Sequence, residues 1–128
     1  MNHPKKQVTV MTTELDRQRQ VYVAALGRSL DDLAAQLAAM PKVEQVIIFG
    51  SYAAGRRDLF TDLDLLVVMR SPLDFVSRTA DLYRRLCTDV DMDLVVYTRE
   101  EIAQAGTHPF LRCALTEGRI LCEKGHAG

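Results

Sequence analysis

Four short apolar runs, separated by stretches with helical signals, constrain the fold of this chain more than any other feature of its sequence. Each run is rich in apolar residues and stops at a turn-forming or polar residue, which is typical of a strand. The predicted strands are Val43–Phe49, Leu63–Met69, Met92–Tyr97 and Arg119–Glu123. Helices that alternate with apolar strands predict an α/β (α+β) fold, in which helices cover a sheet.

Capping signals delimit the predicted helices. Thr13 with Asp16 resembles a capping box, and Pro41 ends the helix that we predict over residues 13–39. Further helices are predicted over residues 51–54, after the cap Ser71 and Pro72, after the cap Thr98, and from Pro109 to the residue before Gly118. The apolar face of the third helix is predicted to contain Phe75, Val76, Ala80, Tyr83, Leu86 and Cys87.

The length of 128 residues and the hydrophobic content of 48% allow one sizeable core and leave too little chain for a second ordinary domain. We therefore expect a single domain over residues 13–124, preceded by a flexible tail at residues 1–12. The first helix carries a leucine stripe, which consists of Leu26, Leu30, Leu33 and Leu37. Core packing is the preferred interpretation of this stripe, and an interface with another chain is the alternative.

Composition argues against several classes of function. The 16 basic and 17 acidic residues give a formal charge of −1, so the chain has no general positive field for nucleic acid. Cys87, Cys113 and Cys122 lack the spacing of a metal site and lie in apolar runs, which indicates reduced core thiols. No run approaches the roughly 20 apolar residues of a membrane span. We expect a cytoplasmic protein without a membrane partner.

A pair of carboxylates precedes the second predicted strand. Because side chains alternate along a strand, Asp62 and Asp64 point to one face while Leu63 points to the other. Two carboxylates aimed together beside an apolar strand are costly unless a cation neutralises them. Hard oxygen ligands favour magnesium or manganese over zinc, so the pair predicts a Mg²⁺ or Mn²⁺ site.

The first predicted strand ends in residues suited to a triphosphate. Gly50 allows close approach of the backbone, and Ser51 adds a hydroxyl and amides at the start of a helix. Metal ions held by carboxylates serve phosphoryl displacement, in which a nucleoside triphosphate loses pyrophosphate. A third carboxylate from the next strand would complete the site; Asp93 is the best candidate and Asp91 is the alternative.

The order Gly50-Ser51, ten intervening residues and Asp62-Leu63-Asp64, followed by a strand with a third Asp, resembles the signature of the minimal nucleotidyltransferases of the DNA polymerase β superfamily. The similarity covers most of the chain, from about residue 43 to residue 97 and again over residues 110–121.

The resemblance implies a nucleotidyltransferase (polymerase β-like) fold, with a mixed sheet and helices packed mainly on one side. It also implies Mg²⁺ bound by Asp62, Asp64 and Asp93, which act as the catalytic residues, and triphosphate bound at Gly50 and Ser51, with ATP as the donor.

One position departs from the family pattern. Many relatives carry Arg or Lys where this chain has Ala54, and Arg56 and Arg57 follow after Gly55. Either arginine could supply the cation to the phosphates. The alternative is that both are solvated side chains of an exposed loop, which is the preferred interpretation.

The resemblance further implies a biological role. Family members of this size often act with a helical HEPN partner, as the antitoxin of a type VII-like toxin–antitoxin pair that transfers AMP to a tyrosine of a HEPN ribonuclease toxin. Two alternatives stay open: an antitoxin that binds its partner through a vestigial site, and an enzyme that modifies a small molecule such as an aminoglycoside, with a homo-oligomer supplying the missing pocket wall.

Overall fold

The computed structural model describes residues 3–105 and 108–125, and side chains from residue 13 onward within those ranges. The described chain contains five helices and four strands. In order, these are α1 (His3–Ala38), β1 (Val43–Phe49), α2 (Gly50–Ala53), β2 (Leu63–Met69), α3 (Phe75–Arg85), β3 (Met92–Tyr97), α4 (Arg99–Gln104), α5 (Pro109–Glu117) and β4 (Arg119–Glu123).

The four strands form one mixed sheet in the order β3-β2-β1-β4. β1 is antiparallel to both β2 and β4, whereas β2 is parallel to β3. The parallel pair is joined by α3, because parallel neighbours need a crossover connection. All four strands are confirmed with the predicted bounds, and the expected fold class is confirmed.

The two faces of the sheet are covered unequally. On one face α1 and α3 pack over the larger core, in which the leucine stripe is at most 3% exposed. Core packing of the stripe is therefore confirmed. On the other face α5 covers a smaller core, which consists of Ile47, Leu66, Leu111 and Ala114. The helices thus lie mainly on one side.

The first helix begins at His3, so its predicted start at Thr13 is wrong. Pro4 lies in the first turn, where a missing N–H costs nothing, and no Pro or Gly follows until Gly27. Nothing in the sequence therefore stops the helix short of His3, and the capping pattern at Thr13 lies inside it. The division into a tail of residues 1–12 and a domain of residues 13–124 stays a prediction, although the helix continues across that boundary.

The third helix begins later than predicted. Asp74 caps it by accepting a hydrogen bond from the Ser77 amide at 2.8 Å, and Phe75 is its first residue. The hydroxyl of Ser71 instead accepts from the Leu73 amide at 3.2 Å. Ser and Asp are about equally good caps, so the sequence did not decide whether Ser71 or Asp74 caps the helix.

The predicted apolar face of α3 is wrong in part. Val76 is 74% exposed, whereas Arg78 is only 4% exposed. Arg78 can be buried because each guanidinium nitrogen has a partner: it forms an ion pair with Glu101 and donates to the carbonyls of Val96 at 3.0 Å and Leu73 at 3.3 Å. The pair fastens α3 to the start of α4, whose predicted capping box between Thr98 and Glu101 is confirmed.

Replacing Glu101 with Gln is expected to cost about 2 kcal/mol at pH 7, because it leaves the buried Arg78 guanidinium without a carboxylate. Hydrogen bonds from Arg78 lower the pKa of Glu101 from 4.5 to about 2. A lowered folded-state pKa means that this stabilisation is fully present above pH 4.5 and is lost as the pH falls toward 2. Urea unfolding of both proteins at pH 7 and pH 3 tests this, and an equal difference at the two pH values would contradict it.

A second stability prediction concerns Gly27, which lies inside α1. An alanine Cβ at this position would be 3.8 Å from the Tyr52 hydroxyl, which is an ordinary contact. Because Ala loses less conformational entropy than Gly in a helix, Gly27→Ala is expected to stabilise the protein by roughly 0.5–1 kcal/mol. Thermal unfolding measures the change, and a lower midpoint than in the wild-type protein would count against it.

The cysteines differ from expectation. All three are free, but Cys87 and Cys113 are exposed, so the assignment of these two to the core is wrong, whereas Cys122 is half-buried and packs against the larger core. Cys113 lies off the face of α5 that carries Leu111 and Ala114, and its thiol contacts Glu117 at 3.2 Å. Within the described ranges, the structure contains no helix with the length and apolar character needed to cross a membrane.

Candidate active site

The predicted site residues meet where one end of the sheet brings three strands together. β1 ends at Phe49, which pairs with Asp64 on β2. Asp64 pairs in turn with Asp93 on the parallel strand β3. Paired residues of neighbouring strands point to the same face, so the register places these two carboxylates side by side.

The carboxylates lie on the less covered face of the sheet. Leu63 and Leu65 point into the larger core and are fully buried. By alternation, Asp62 and Asp64 point to the opposite face, as predicted from the sequence. Asp62 and Asp64 are half-buried and Asp93 is exposed. The three carboxylates are therefore gathered on one face, open to solvent on one side.

Their proximity changes the acidity of Asp64. Burial, repulsion from Asp93 and Asp62, and a hydrogen bond with Asp93 together raise its pKa from 3.8 to about 6. Burial is the largest of these causes, and the neighbouring negative charges come next. The ionised form of Asp64 is therefore disfavoured, and a nearby cation would stabilise it.

Gly50 approaches the Asp64 side chain closely. Its φ of +74° lies in the left-handed region, and a Cβ at this position would be 2.2 Å from Asp64 Oδ2. Only glycine accommodates both the conformation and the contact. Gly50 therefore belongs structurally to the carboxylate cluster, and Ser51 follows it in α2, half-buried.

Asp91 is placed differently from Asp93. Its backbone carbonyl accepts a hydrogen bond from the Leu63 amide at 3.1 Å, which continues the pairing of β2 and β3 beyond Asp93. Burial and the charges of Asp91, Asp62 and Asp58 raise the pKa of Tyr22, whereas the carboxylates that raise the pKa of Asp64 are Asp93 and Asp62. Asp93 is thus the carboxylate that adjoins Asp64.

The two arginines after Gly55 already have partners. Arg56 forms an ion pair with Asp58 at 2.7 Å. The Arg57 guanidinium lies over the Tyr52 ring, 3.4 Å from its centroid, and donates to the Tyr52 carbonyl at 2.6 Å. Arg57 therefore packs on α2, the helix that begins at Gly50.

The donor set fits a hard divalent cation. The three side chains offer carboxylate oxygens, which suit magnesium or manganese, and a cation would offset the burial and the repulsion that raise the pKa of Asp64. As they stand, the side-chain oxygens do not converge: within the described ranges, no group of three or more His, Cys, Asp or Glu is arranged to hold a metal ion. The register nonetheless places Asp64 beside Asp93, and Asp62 lies two residues before Asp64 on the same face.

The carboxylates do not lie in the cavity of about 650 Å³ at the other end of the sheet. That cavity is lined by residues at the start of β1 and the end of β2, including Glu44 and Val68, and none of its lining residues is a predicted site residue. Asp62 and Asp64 are half-buried and Asp93 is exposed, so solvent reaches the carboxylate cluster.

Sequence reasoning missed two tyrosines near the site. Tyr22 on α1 donates to the Thr61 carbonyl at 2.9 Å, directly before Asp62. Tyr83 on α3 contacts the backbone on either side of Asp93. Tyr22 lies one turn before Leu26 and so continues the leucine stripe. A tyrosine in an apolar stripe is the sequence feature that could have indicated a hydroxyl near the site.

Comparisons with known proteins indicate a family for this chain. Residues 30–112 match the family model described as "Nucleotidyltransferase domain". No curated protein matches the chain significantly. A candidate nucleotidyltransferase from Sulfolobus solfataricus is 18% identical with a TM-score of 0.59, and the match covers 83% of this chain and 87% of that one.

Two toxin–antitoxin structures are also similar. A variant of the toxin–antitoxin MntA–HpeT is 23% identical over 73% of this chain and 72% of that one, with a TM-score of 0.50. A toxin–antitoxin structure with AMP-PNP is 26% identical over 76% of this chain and 73% of that one, also with a TM-score of 0.50.

The family model spans more than half of the chain and includes the glycine and all three aspartates of the cluster. The similarity to nucleotidyltransferases that the sequence indicated is therefore confirmed, and the chain belongs to the nucleotidyltransferase domain family.

Proposed function

We propose that this protein is a Mg²⁺-dependent nucleotidyltransferase that transfers AMP from ATP to a tyrosine of a HEPN ribonuclease toxin, and that it acts as the antitoxin of that toxin in the cytoplasm. The observation that carries the chemical part is the pairing of Asp64 with Asp93 beside Gly50. The similarity to a toxin–antitoxin structure with AMP-PNP supports the biological part.

Asp62, Asp64 and Asp93 are the proposed ligands of Mg²⁺, for which Mn²⁺ could substitute, and Asp93 is preferred over Asp91 because of its register with Asp64. When bound, the metal supplies Lewis-acid stabilisation of the phosphoryl oxygens. Gly50 and Ser51 are the proposed contacts of the triphosphate. Gly50 lets the backbone lie close to the Asp64 carboxylate, since a Cβ at this position would be 2.2 Å from Asp64 Oδ2.

The proposed reaction is an in-line displacement at the α-phosphorus of ATP. The oxygen of the acceptor hydroxyl forms the new P–O bond, the bond from the α-phosphorus to the bridging oxygen breaks, and pyrophosphate leaves. The hydroxyl proton passes to a carboxylate of the cluster. The exposure of Asp93 suits an acceptor that a partner protein presents.

Transfer of label from ATP to a purified HEPN-domain toxin tests this proposal. We expect label on a toxin tyrosine from ATP labelled at the α-phosphate, none from ATP labelled at the γ-phosphate, and none without Mg²⁺. Replacement of the modified tyrosine with Phe should abolish labelling and leave the toxin active in the presence of this protein.

Other outcomes separate the alternatives. Inhibition of the toxin without label would favour an antitoxin that acts by binding alone. Label on an aminoglycoside, with none on the toxin, would favour an enzyme that modifies small molecules. Either result would contradict protein adenylylation.

A further inference from the structure

β3, which carries Asp93, has one edge that pairs with no other strand of the described chain. β3 is an end strand of the sheet, and such a strand has unpaired backbone groups along one side. The Asp91 carbonyl accepts a hydrogen bond from the Leu63 amide on β2. The backbone groups of the odd-numbered residues in this part of the chain therefore point toward β2. Met92 and Leu94 therefore present their backbone groups to the free edge, on either side of Asp93.

The Tyr83 hydroxyl occupies this edge. It accepts a hydrogen bond from the Leu94 amide at 2.7 Å and faces the Met92 carbonyl, to which it donates, at 3.4 Å. A single oxygen thus takes the place of a neighbouring strand beside Asp93. Because both flanking peptides are held, the direction of the Asp93 side chain is restricted.

A second tyrosine holds the backbone before Asp62. Tyr22 donates to the Thr61 carbonyl at 2.9 Å. Thr61 is fully buried, and its hydroxyl accepts from the Asp58 amide at 3.0 Å and donates to Asp58 Oδ1 at 3.1 Å. The peptide that joins Thr61 to Asp62 is therefore fixed from both sides.

We propose that Tyr22 and Tyr83 are positioning residues of the active site, which hold Asp62 and Asp93 in the orientation needed to bind a divalent cation with Asp64. Each acts through the backbone next to a carboxylate and needs no contact with the nucleotide. Ligands at strand ends require such support, since a loosely held ligand weakens a metal site. The inference rests on the metal site of the proposed function.

Calorimetric titration with Mn²⁺ alone tests the inference without any measurement of activity. Tyr22→Phe and Tyr83→Phe each remove one hydroxyl and keep the ring. We expect each to raise the Kd for Mn²⁺ roughly tenfold, and the double variant to raise it further. Tyr97→Phe is the matched control: Tyr97 also lies on β3, packs on Phe75 with ring centroids 5.3 Å apart, and should leave the Kd unchanged.

Amide hydrogen exchange provides a second readout. Exchange at Leu94 should accelerate in Tyr83→Phe and stay unchanged in Tyr22→Phe, because only Tyr83 accepts from that amide. If either variant failed to fold, the other would decide the question by itself. Wild-type affinity for Mn²⁺ in the folded variants would overturn the inference, even if their melting temperatures fell. A wild-type protein that bound no Mn²⁺ would instead overturn the proposed metal site, and the inference with it.

Discussion

Asp64→Asn is expected to lower the rate of nucleotidyl transfer by roughly 10³-fold while the protein stays folded. The substitution removes a charged, proposed metal ligand from the cluster, where Asp64 pairs with Asp93. Stability should not fall, because Asp64 is a half-buried carboxylate whose pKa is raised to about 6 by burial and by its neighbours. A neutral amide of the same shape relieves that repulsion at pH 7, so the melting temperature should stay the same or rise. Transfer assays and thermal unfolding of the same preparations measure both effects.

Two further substitutions serve as controls and decide which carboxylate is the third ligand. Asp93→Asn is expected to lower the transfer rate far more than Asp91→Asn, because only Asp93 adjoins Asp64 in the register of β2 and β3. Equal losses from the two variants would argue against the assignment of Asp93. An Asp64→Asn variant with the wild-type transfer rate would exclude the carboxylate cluster as the active site.

Gly50→Ala is expected to reduce transfer by at least about 10²-fold and to destabilise the protein by more than about 1 kcal/mol. The backbone at Gly50 has a φ of +74°, which disfavours any residue with a Cβ. The added Cβ would also be 2.2 Å from Asp64 Oδ2, so the carboxylate or the backbone must move. Both the proposed metal ligand and the proposed triphosphate contact would then be displaced. Kinetic and unfolding measurements on the variant test the two effects separately.

Gly55→Ala is the matched control for the close approach. Gly55 also has a positive φ, +102°, but a Cβ there would meet no atom within 4 Å. The two variants share the backbone strain, and only Gly50→Ala disturbs Asp64. We therefore expect Gly55→Ala to lose stability and to keep most of its transfer activity. Equal losses of activity would mean that strain in the loop, and not contact with Asp64, causes the defect.

The strands and the carboxylate cluster could be predicted because their signals are local. A strand of alternating side chains fixes the face of Asp62 and Asp64 without any knowledge of neighbouring strands. The strand order and the pairing of Asp64 with Asp93 could not be predicted from the residues alone, since both depend on contacts between distant segments.

The misplaced features depend on such distant contacts. Arg78 is buried on α3 because Glu101, on another helix, forms an ion pair with it. Tyr83 was assigned to the apolar face of its helix and Tyr22 continues the leucine stripe, yet their hydroxyls bind the backbone beside Asp93 and Asp62. Helical periodicity identifies a buried face and does not reveal what a polar atom on that face will contact.

The most direct test of the central claim is a calorimetric titration of ATP with Mg²⁺ into the wild-type protein and into the Asp62→Asn, Asp64→Asn double variant. We predict that the wild-type protein binds ATP only when Mg²⁺ is present and that the folded double variant does not bind it. Binding that is equally strong in both proteins, or absent from both, would contradict the assignment of the carboxylate cluster as the nucleotide-transferring site.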